Sequence, residues 1–135
     1  MCGIILLRMI INKGEKIMQF RNTKQKSMIF STIHKYGHLT VEQIKELLEK
    51  EKVSIATIYR NLNILSLEGK IKKIYSDDLV LYETIKNEHY HFECTKCKKV
   101  IDIDPKFVNI KIDHSIAKTT RKTLFLYGIC SSCQN

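Results

Sequence analysis

The 135-residue sequence lacks any stretch near the roughly 18 to 20 apolar residues that a membrane-spanning helix requires. Ile4 to Leu7 form a short apolar patch, but it is too brief for a secretory signal and no small-residue cleavage site comes after it. Internal repeats and low-complexity tracts are also missing. These absences make a membrane an unexpected partner and the cytoplasm the expected compartment. The length suits one ordinary domain, or two small ones that need outside support.

Positive charge is plentiful and unevenly spread. Residues 1–81 hold 14 Lys and Arg against 8 Asp and Glu, while residues 82–135 hold 9 against 6. The formal net charge is +9, and the excess sits mainly in the first part, as expected if that part approaches a polyanion. Solubility alone would account for the same excess.

Four of the five cysteines form two pairs, Cys94–Cys97 and Cys130–Cys133. In a reducing compartment such pairs read as metal ligands or a redox centre rather than structural disulfides. The fifth, Cys2, lies in a leading segment, residues 1–17, that is unlike the rest of the chain. Lys13-Gly14-Glu15 must be encoded by purine-rich codons that resemble a bacterial ribosome-binding sequence, and Met18 stands three residues later. The expectation is a misplaced start, with Met18 the true initiator; a short N-terminal helix is the alternative.

A helical pattern begins at Thr23, with Met28, Ile29, Ile33 and Tyr36 near one face and Gly37 as its stop. Thr40 and Gln43 make a capping box for a second helix carrying Val41, Ile44, Leu47 and Leu48. Ser54 caps a third, with Ile55, Ile58, Leu62 and Leu65 expected to face the core before Gly69. Ile71 to Tyr75 and Leu79 to Thr84 read as strands of a hairpin around Ser76-Asp77-Asp78. Three helices and a hairpin give the winged helix-turn-helix order. Beyond a polar break, Tyr90 to Glu93, Val100 to Ile103 and Leu124 to Tyr127 read as strands, and Pro105 to Lys118 is expected to contain a helix. The expected fold is α+β: a winged helix at 18–82, then a small α/β domain at 83–135 with a four-cysteine zinc site.

The third helix would present Ala56, Tyr59, Arg60 and Asn63 outward. Arg can grip guanine in a fork, Asn adenine, and a tyrosine ring can pack on a thymine methyl. The second helix of a helix-turn-helix enters the major groove, so these residues are candidate base readers. The bland alternative is a solvated polar face.

Each C-x-x-C can set two sulfurs on one tight turn, and two such turns complete a tetrahedron about zinc. A filled four-cysteine site has no open position, so its role is structural, worth roughly 10 to 16 kcal/mol at neutral pH. A redox-active C-x-x-C would need one pair opening a helix in a thioredoxin-like setting, whereas both pairs here come after strands. His89-Tyr90-His91 offers two imidazoles on one side of a strand. Glu83 lies six residues before this pair and Asp102 eleven after it, a donor set that suits iron(II), manganese(II) or zinc. Strand histidines are also commonly structural or simply exposed.

Taken together, the motifs resemble the ferric uptake regulator family over residues 20–134. The carriers are Ser54-Ile55-Ala56-Thr57-Ile58-Tyr59-Arg60-Asn61-Leu62, His89-Tyr90-His91-x-x-Cys94-x-x-Cys97, and Leu126-Tyr127-Gly128-Ile129-Cys130-Ser131-Ser132-Cys133. The resemblance implies a homodimeric, metal-dependent repressor, not an enzyme, in which residues 83–135 form the dimerisation and metal-sensing domain and which acts on a palindromic DNA operator. It also implies that His38, Glu83, His89, His91 and Asp102 bind the regulatory metal across the two domains. Arg21 would reach an A·T-rich minor groove while Tyr59 and Arg60 read the major groove.

This sequence departs from the family pattern in places. Lys98 stands where a glycine usually follows the second cysteine, so strain is expected in that turn. Tyr90 and Lys122 replace two ligands of a further metal site, which is expected to be absent. The usual helix ahead of Arg21 is missing or degenerate. Asp102 resembles the peroxide-sensing branch and Glu83 the iron-sensing one. The reading taken is a peroxide-responsive repressor, in which peroxide would react at bound iron(II) and oxidise His38 or His89; manganese(II) would repress with far less reactivity. The alternative is an iron-responsive regulator. A thiol–disulfide enzyme would exchange disulfides and bind no zinc tightly, and a zinc-stabilised interaction module would bind no DNA.

Overall fold

The structure is a computed structural model that describes residues 23–134. The leading segment 1–17, the start at Met18 and the candidate Arg21 lie outside the described residues. The described chain forms two compact units that divide between Ile85 and Lys86.

The first unit opens with α1 (Lys24–Tyr36), whose N-cap Thr23 accepts a hydrogen bond from the Lys26 amide at 3.1 Å. Gly37 ends it at φ 89°, where its amide donates to the Ile33 carbonyl at 2.8 Å. A side chain is disfavoured at that φ, so glycine suits the stop. The expected capping box opens α2 (Val41–Leu47): Gln43 N donates to the Thr40 hydroxyl at 3.2 Å, and Thr40 N to the Gln43 side chain at 2.9 Å. Ser54 caps α3 (Ile55–Leu67) by accepting from Thr57 N at 3.2 Å.

Ile29, Ile33, Ile44, Ile58, Leu62 and Leu65 are buried from all three helices and form one cluster, joined by Ile71 and Tyr82 from the hairpin. Burying each such side chain contributes about 1.5 to 3 kcal/mol relative to exposure. Ile55 corrects the sequence reading, being 44% exposed. The buried stripe of α3 runs through Ile58, Asn61, Leu62 and Leu65, and at 3.6 residues per turn Ile55 points about 70° from its centre. Asn61 is tolerated there because its side-chain amide donates to the Thr57 carbonyl at 2.9 Å. Tyr36 and Leu47 are likewise exposed.

β1 (Ile71–Tyr75) and β2 (Val80–Thr84) pair antiparallel, from Ile71 opposite Thr84 to Tyr75 opposite Val80. Leu39 adds a bridge to Tyr82, with amide–carbonyl bonds of 3.2 and 2.8 Å. The start of α1 is tied to the end of α3 by the buried Lys26 ammonium on Glu68, which also receives Lys70 at 3.1 Å.

The second unit is a three-stranded sheet of order β4-β3-β5. Central β3 (Tyr90–Cys94) runs antiparallel to β4 (Val100–Ile103) and parallel to β5 (Phe125–Gly128). A Cβ on Gly128 would stand 3.2 Å from the Phe92 ring, so glycine lets β5 close on β3. The helix expected within Pro105 to Lys118 is not formed; that stretch has one 3-10 turn, Pro105–Phe107, and otherwise irregular chain. Val108, Ile110 and Ile112 alternate with polar residues and are stiff at χ1, a pattern that disfavours a helix. The fold is α+β: a winged helix-turn-helix and then a small sheet domain carrying a cluster of four cysteines. Among the described residues no helix is long and apolar enough to cross a membrane.

Candidate metal centres and DNA-reading helix

The parallel pairing of β3 with β5 places Cys94 opposite Gly128, and so brings the two C-x-x-C turns side by side. Cys94 closes β3, Cys130 comes just after β5, and Cys133 ends the 3-10 turn Ser131–Cys133. All four sulfurs lie within 4.8 Å of one another. Cys97 Sγ and Cys130 Sγ are 3.8 Å apart. A tetrahedron built on zinc–sulfur bonds of about 2.3 Å has an edge of about 3.8 Å, so the spacing fits zinc.

The electrostatics fit as well. The backbone amides of Cys130 and Cys97, each 3.4 Å from Cys94 Sγ, hold that thiol down to about 6 from an ordinary 9.0. Cys133 is pushed up to about 12, first by its hydrogen bond with the Cys130 thiol and then by burial. One thiolate is prepared by fixed dipoles, and the crowd around it resists a second negative charge unless a cation arrives.

Two further donor groups are present, one in each unit. In the first, the Leu39–Tyr82 bridge sets His38 opposite Glu83, the next pair along the antiparallel register. His38 Nε2 lies 2.9 Å from Glu83 Oε2, and the glutamate is fully buried. In the second, the β3–β4 register sets His91 opposite Asp102. Asp102 Oδ1 lies 3.4 Å from His89 Nε2 and 3.7 Å from His91 Nε2. His89 Nδ1 donates to the Asn87 carbonyl at 2.7 Å, which puts the lone pair of the neutral ring on Nε2. Imidazole nitrogens and carboxylate oxygens without sulfur suit iron(II), manganese(II) or zinc.

Two lysines at these groups went unnoticed in the sequence. Lys72 Nζ lies 3.1 Å from Glu83 Oε1, and Lys86 Nζ contacts Asp102 Oδ2. The hairpin register, once centred on the Ser76–Leu79 turn, would have revealed Lys72 opposite Glu83.

The outward residues of α3, Ala56, Tyr59, Arg60 and Asn63, are all exposed, with Tyr59 at 45%. They stand clear of the core and face outward to an external surface.

The profile of the Ferric uptake regulator family matches residues 17–125 of this chain. The chain belongs to that family. Among curated ferric uptake regulator relatives, it is 28% identical to the peroxide-responsive repressor PerR of Staphylococcus saprophyticus over 131 residues, covering 92% of this chain and 86% of that protein. Among solved structures, the ferric uptake regulator of Helicobacter pylori superposes with a TM-score of 0.68 at 25% identity, covering 99% of this chain and 93% of that one. That structure is described as revealing three functional metal-binding sites. The iron-containing ferric uptake regulator of Francisella tularensis gives 0.69 at 24% identity, covering 89% and 98%, a likeness of fold. Members of the ferric uptake regulator family are dimeric, DNA-binding, metal-responsive transcriptional regulators rather than enzymes.

Proposed function

We propose that this protein is a peroxide-responsive transcriptional repressor whose DNA affinity is set by iron(II) or manganese(II) held jointly by His38, Glu83, His89, His91 and Asp102. The observation that carries the reading is that each unit gathers imidazole and carboxylate donors without sulfur. His38 and Glu83 meet in the DNA-reading unit, while His89, His91 and Asp102 meet in the other. A metal that needs both groups favours one relative orientation of the units, and so couples its occupancy to DNA binding. The four-cysteine cluster is a separate structural zinc site, closed to exogenous ligands.

On DNA, the exposed Tyr59, Arg60 and Asn63 read base edges in the major groove, and Arg21 enters an A·T-rich minor groove. Dimerisation then makes the operator palindromic. Its location in the cell is the cytoplasm. Support for the peroxide branch comes from the similarity to peroxide-responsive repressors of Staphylococcus, at 28–29% identity. Bound iron(II) supplies the one-electron chemistry that peroxide requires, which manganese(II) supplies far less readily. His89, with its lone pair on Nε2, is then a residue exposed to oxidation.

The test measures operator affinity of iron(II)- and manganese(II)-loaded protein, each before and after peroxide. The iron form is expected to release the operator and gain 16 mass units on a peptide holding His38 or His89, and the manganese form to keep both affinity and mass. An iron form that keeps its operator through peroxide replaces this reading with that of an iron-responsive regulator, the type that Glu83 resembles.

A further inference from the structure

Each unit divides its carboxylate in the same way. Glu83 turns Oε2 to the His38 imidazole at 2.9 Å and Oε1 to Lys72 at 3.1 Å. Asp102 turns Oδ1 to the imidazoles of His89 and His91, and Oδ2 to Lys86. The arrangement comes from unrelated local structures. Lys72 is the cross-strand partner of Glu83 in the β1–β2 hairpin. Lys86 precedes β3 and reaches Asp102 on β4. The neighbouring Lys73 is spent elsewhere, over the rings of Tyr75 and Tyr82 at 5.7 and 5.9 Å.

We propose that Lys72 and Lys86 are resident cationic competitors that weaken and shape binding of the regulatory metal, each by holding one oxygen of a ligand carboxylate. The inference rests on the regulatory-metal reading of these five residues. A fully buried carboxylate such as Glu83 is costly unless a cation accompanies it. Lys72 supplies that cation when no metal is bound, so the metal-free protein keeps its fold and the glutamate keeps its place. An arriving divalent ion then meets a carboxylate whose charge is already balanced, with one oxygen committed to an ammonium. Its attraction is reduced, and each carboxylate is steered to offer a single oxygen rather than chelate with two. A sensor gains from this, because it must release metal when supply falls, whereas two uncompensated carboxylates beside three imidazoles would hold it too firmly.

Both lysines are 41% exposed, so solvent screens them and the effect of each is moderate. Replacing either by methionine keeps the length of the stem and removes the charge. Manganese(II) affinity of the zinc-loaded full chain is read by the paramagnetic resonance signal of free manganese(II). Lys72→Met and Lys86→Met are each expected to lower its dissociation constant by roughly three- to tenfold, the scale of one partly screened charge a few ångströms away. Lys72→Arg and Lys86→Arg, which keep the charge, are expected to stay within about twofold of the parent. Lys73→Met controls for the loss of a positive charge on the same strand and should leave the constant unchanged. Zinc stoichiometry of the four-cysteine site reports that the second unit of each variant is folded, and the helical circular dichroism signal reports the first unit, which carries the three α-helices.

The methionine variants binding manganese(II) as weakly as the parent, or more weakly, overturns the proposal; the second outcome makes the lysines positioning groups that orient the carboxylates. His89→Ala separates this from failure of the underlying site. If His89→Ala loses manganese(II) while the lysine variants match the parent, the competitors are wrong and the site stands. If His89→Ala binds manganese(II) like the parent, the regulatory site itself is misassigned.

Discussion

The Lys98 amide donates to the Cys94 carbonyl at 2.8 Å, and this bond closes the first C-x-x-C turn with Lys98 in the left-handed region at φ 64°. A residue with a Cβ carries steric strain there that glycine does not. Lys98→Gly is therefore expected to stabilise the second unit by up to about 1 kcal/mol, partly offset by the entropy glycine adds to the unfolded chain. Thermal unfolding of the zinc-loaded protein measures this, and zinc content should not change.

Cys97→Ser removes one corner of the sulfur tetrahedron. The purified parent should hold one zinc per chain after mild chelation, and the variant should lose it together with the cooperative unfolding of residues 86–134. The reasoning is energetic: a sheet of three short strands buries few apolar side chains, and zinc supplies what such a core lacks. A zinc-free variant that still unfolds cooperatively would falsify the structural role.

Glu68 joins the two ends of the helical core. Burial pushes its carboxyl upward, but the hydrogen bonds and charges of Lys26 and Lys70 outweigh it and hold the group below its ordinary 4.5. A carboxylate with a depressed folded pKa contributes stability that is complete above the unfolded value and vanishes as pH falls through the folded one. Glu68→Gln is thus expected to cost about 1 to 3 kcal/mol at neutral pH, since it strands the buried Lys26 ammonium. The gap between parent and variant should narrow below about pH 4.5, where the carboxyl of the unfolded parent takes up protons before that of the folded one. Denaturant unfolding at several pH values checks both the size and the direction.

Features carried by local chemistry are legible in the sequence alone. The Thr40–Gln43 capping box, the Ser54 cap, the hairpin about Ser76 to Asp78 and the C-x-x-C pairs each depend on residues a few positions apart. Features set by distant pairing are not. Nothing near His38 in the chain marks it as a partner of Glu83; the Leu39–Tyr82 bridge makes it one, and only the family resemblance pointed there. Lys72 and Lys86 escaped for the same reason, because exposed lysines are ordinary until a register sets them against a ligand carboxylate. The helix expected after Pro105 does not form because Val108, Ile110 and Ile112 recur with the period of a strand, not of a helix.

Arg60→Ala tests the DNA-reading face. Arg60 is exposed on α3, on the side away from the buried stripe of Ile58, Asn61, Leu62 and Leu65. Losing a forked guanine contact should cost roughly 1 to 3 kcal/mol and relax preference at one base pair per half-site. Zinc content and dimerisation should be unaffected. Equal losses on operator and random DNA would make Arg60 a phosphate contact instead.

His38→Ala bears on the proposed switch. His38 belongs to the unit that carries α3, whereas His89 and His91 belong to the other, so removing one imidazole separates the two roles. The four cysteines lie in the second unit, so zinc content should survive, and dimerisation should survive with it if the same unit carries it, as proposed. Metal-stimulated operator binding should be lost, because the DNA-reading unit would keep only Glu83, already shared with Lys72. Moving a two-state equilibrium from 1:99 to 99:1 needs a differential metal affinity of about 5.5 kcal/mol. One imidazole ligand can supply a good part of that, so its loss should leave the equilibrium short of the DNA-binding state at any metal concentration that spares the zinc. Fluorescence anisotropy of a labelled operator, titrated with manganese(II), reads the effect. A parent that responds beside a His38→Ala variant that does not supports a metal shared by the two units, and a variant that responds fully confines the metal to His89, His91 and Asp102.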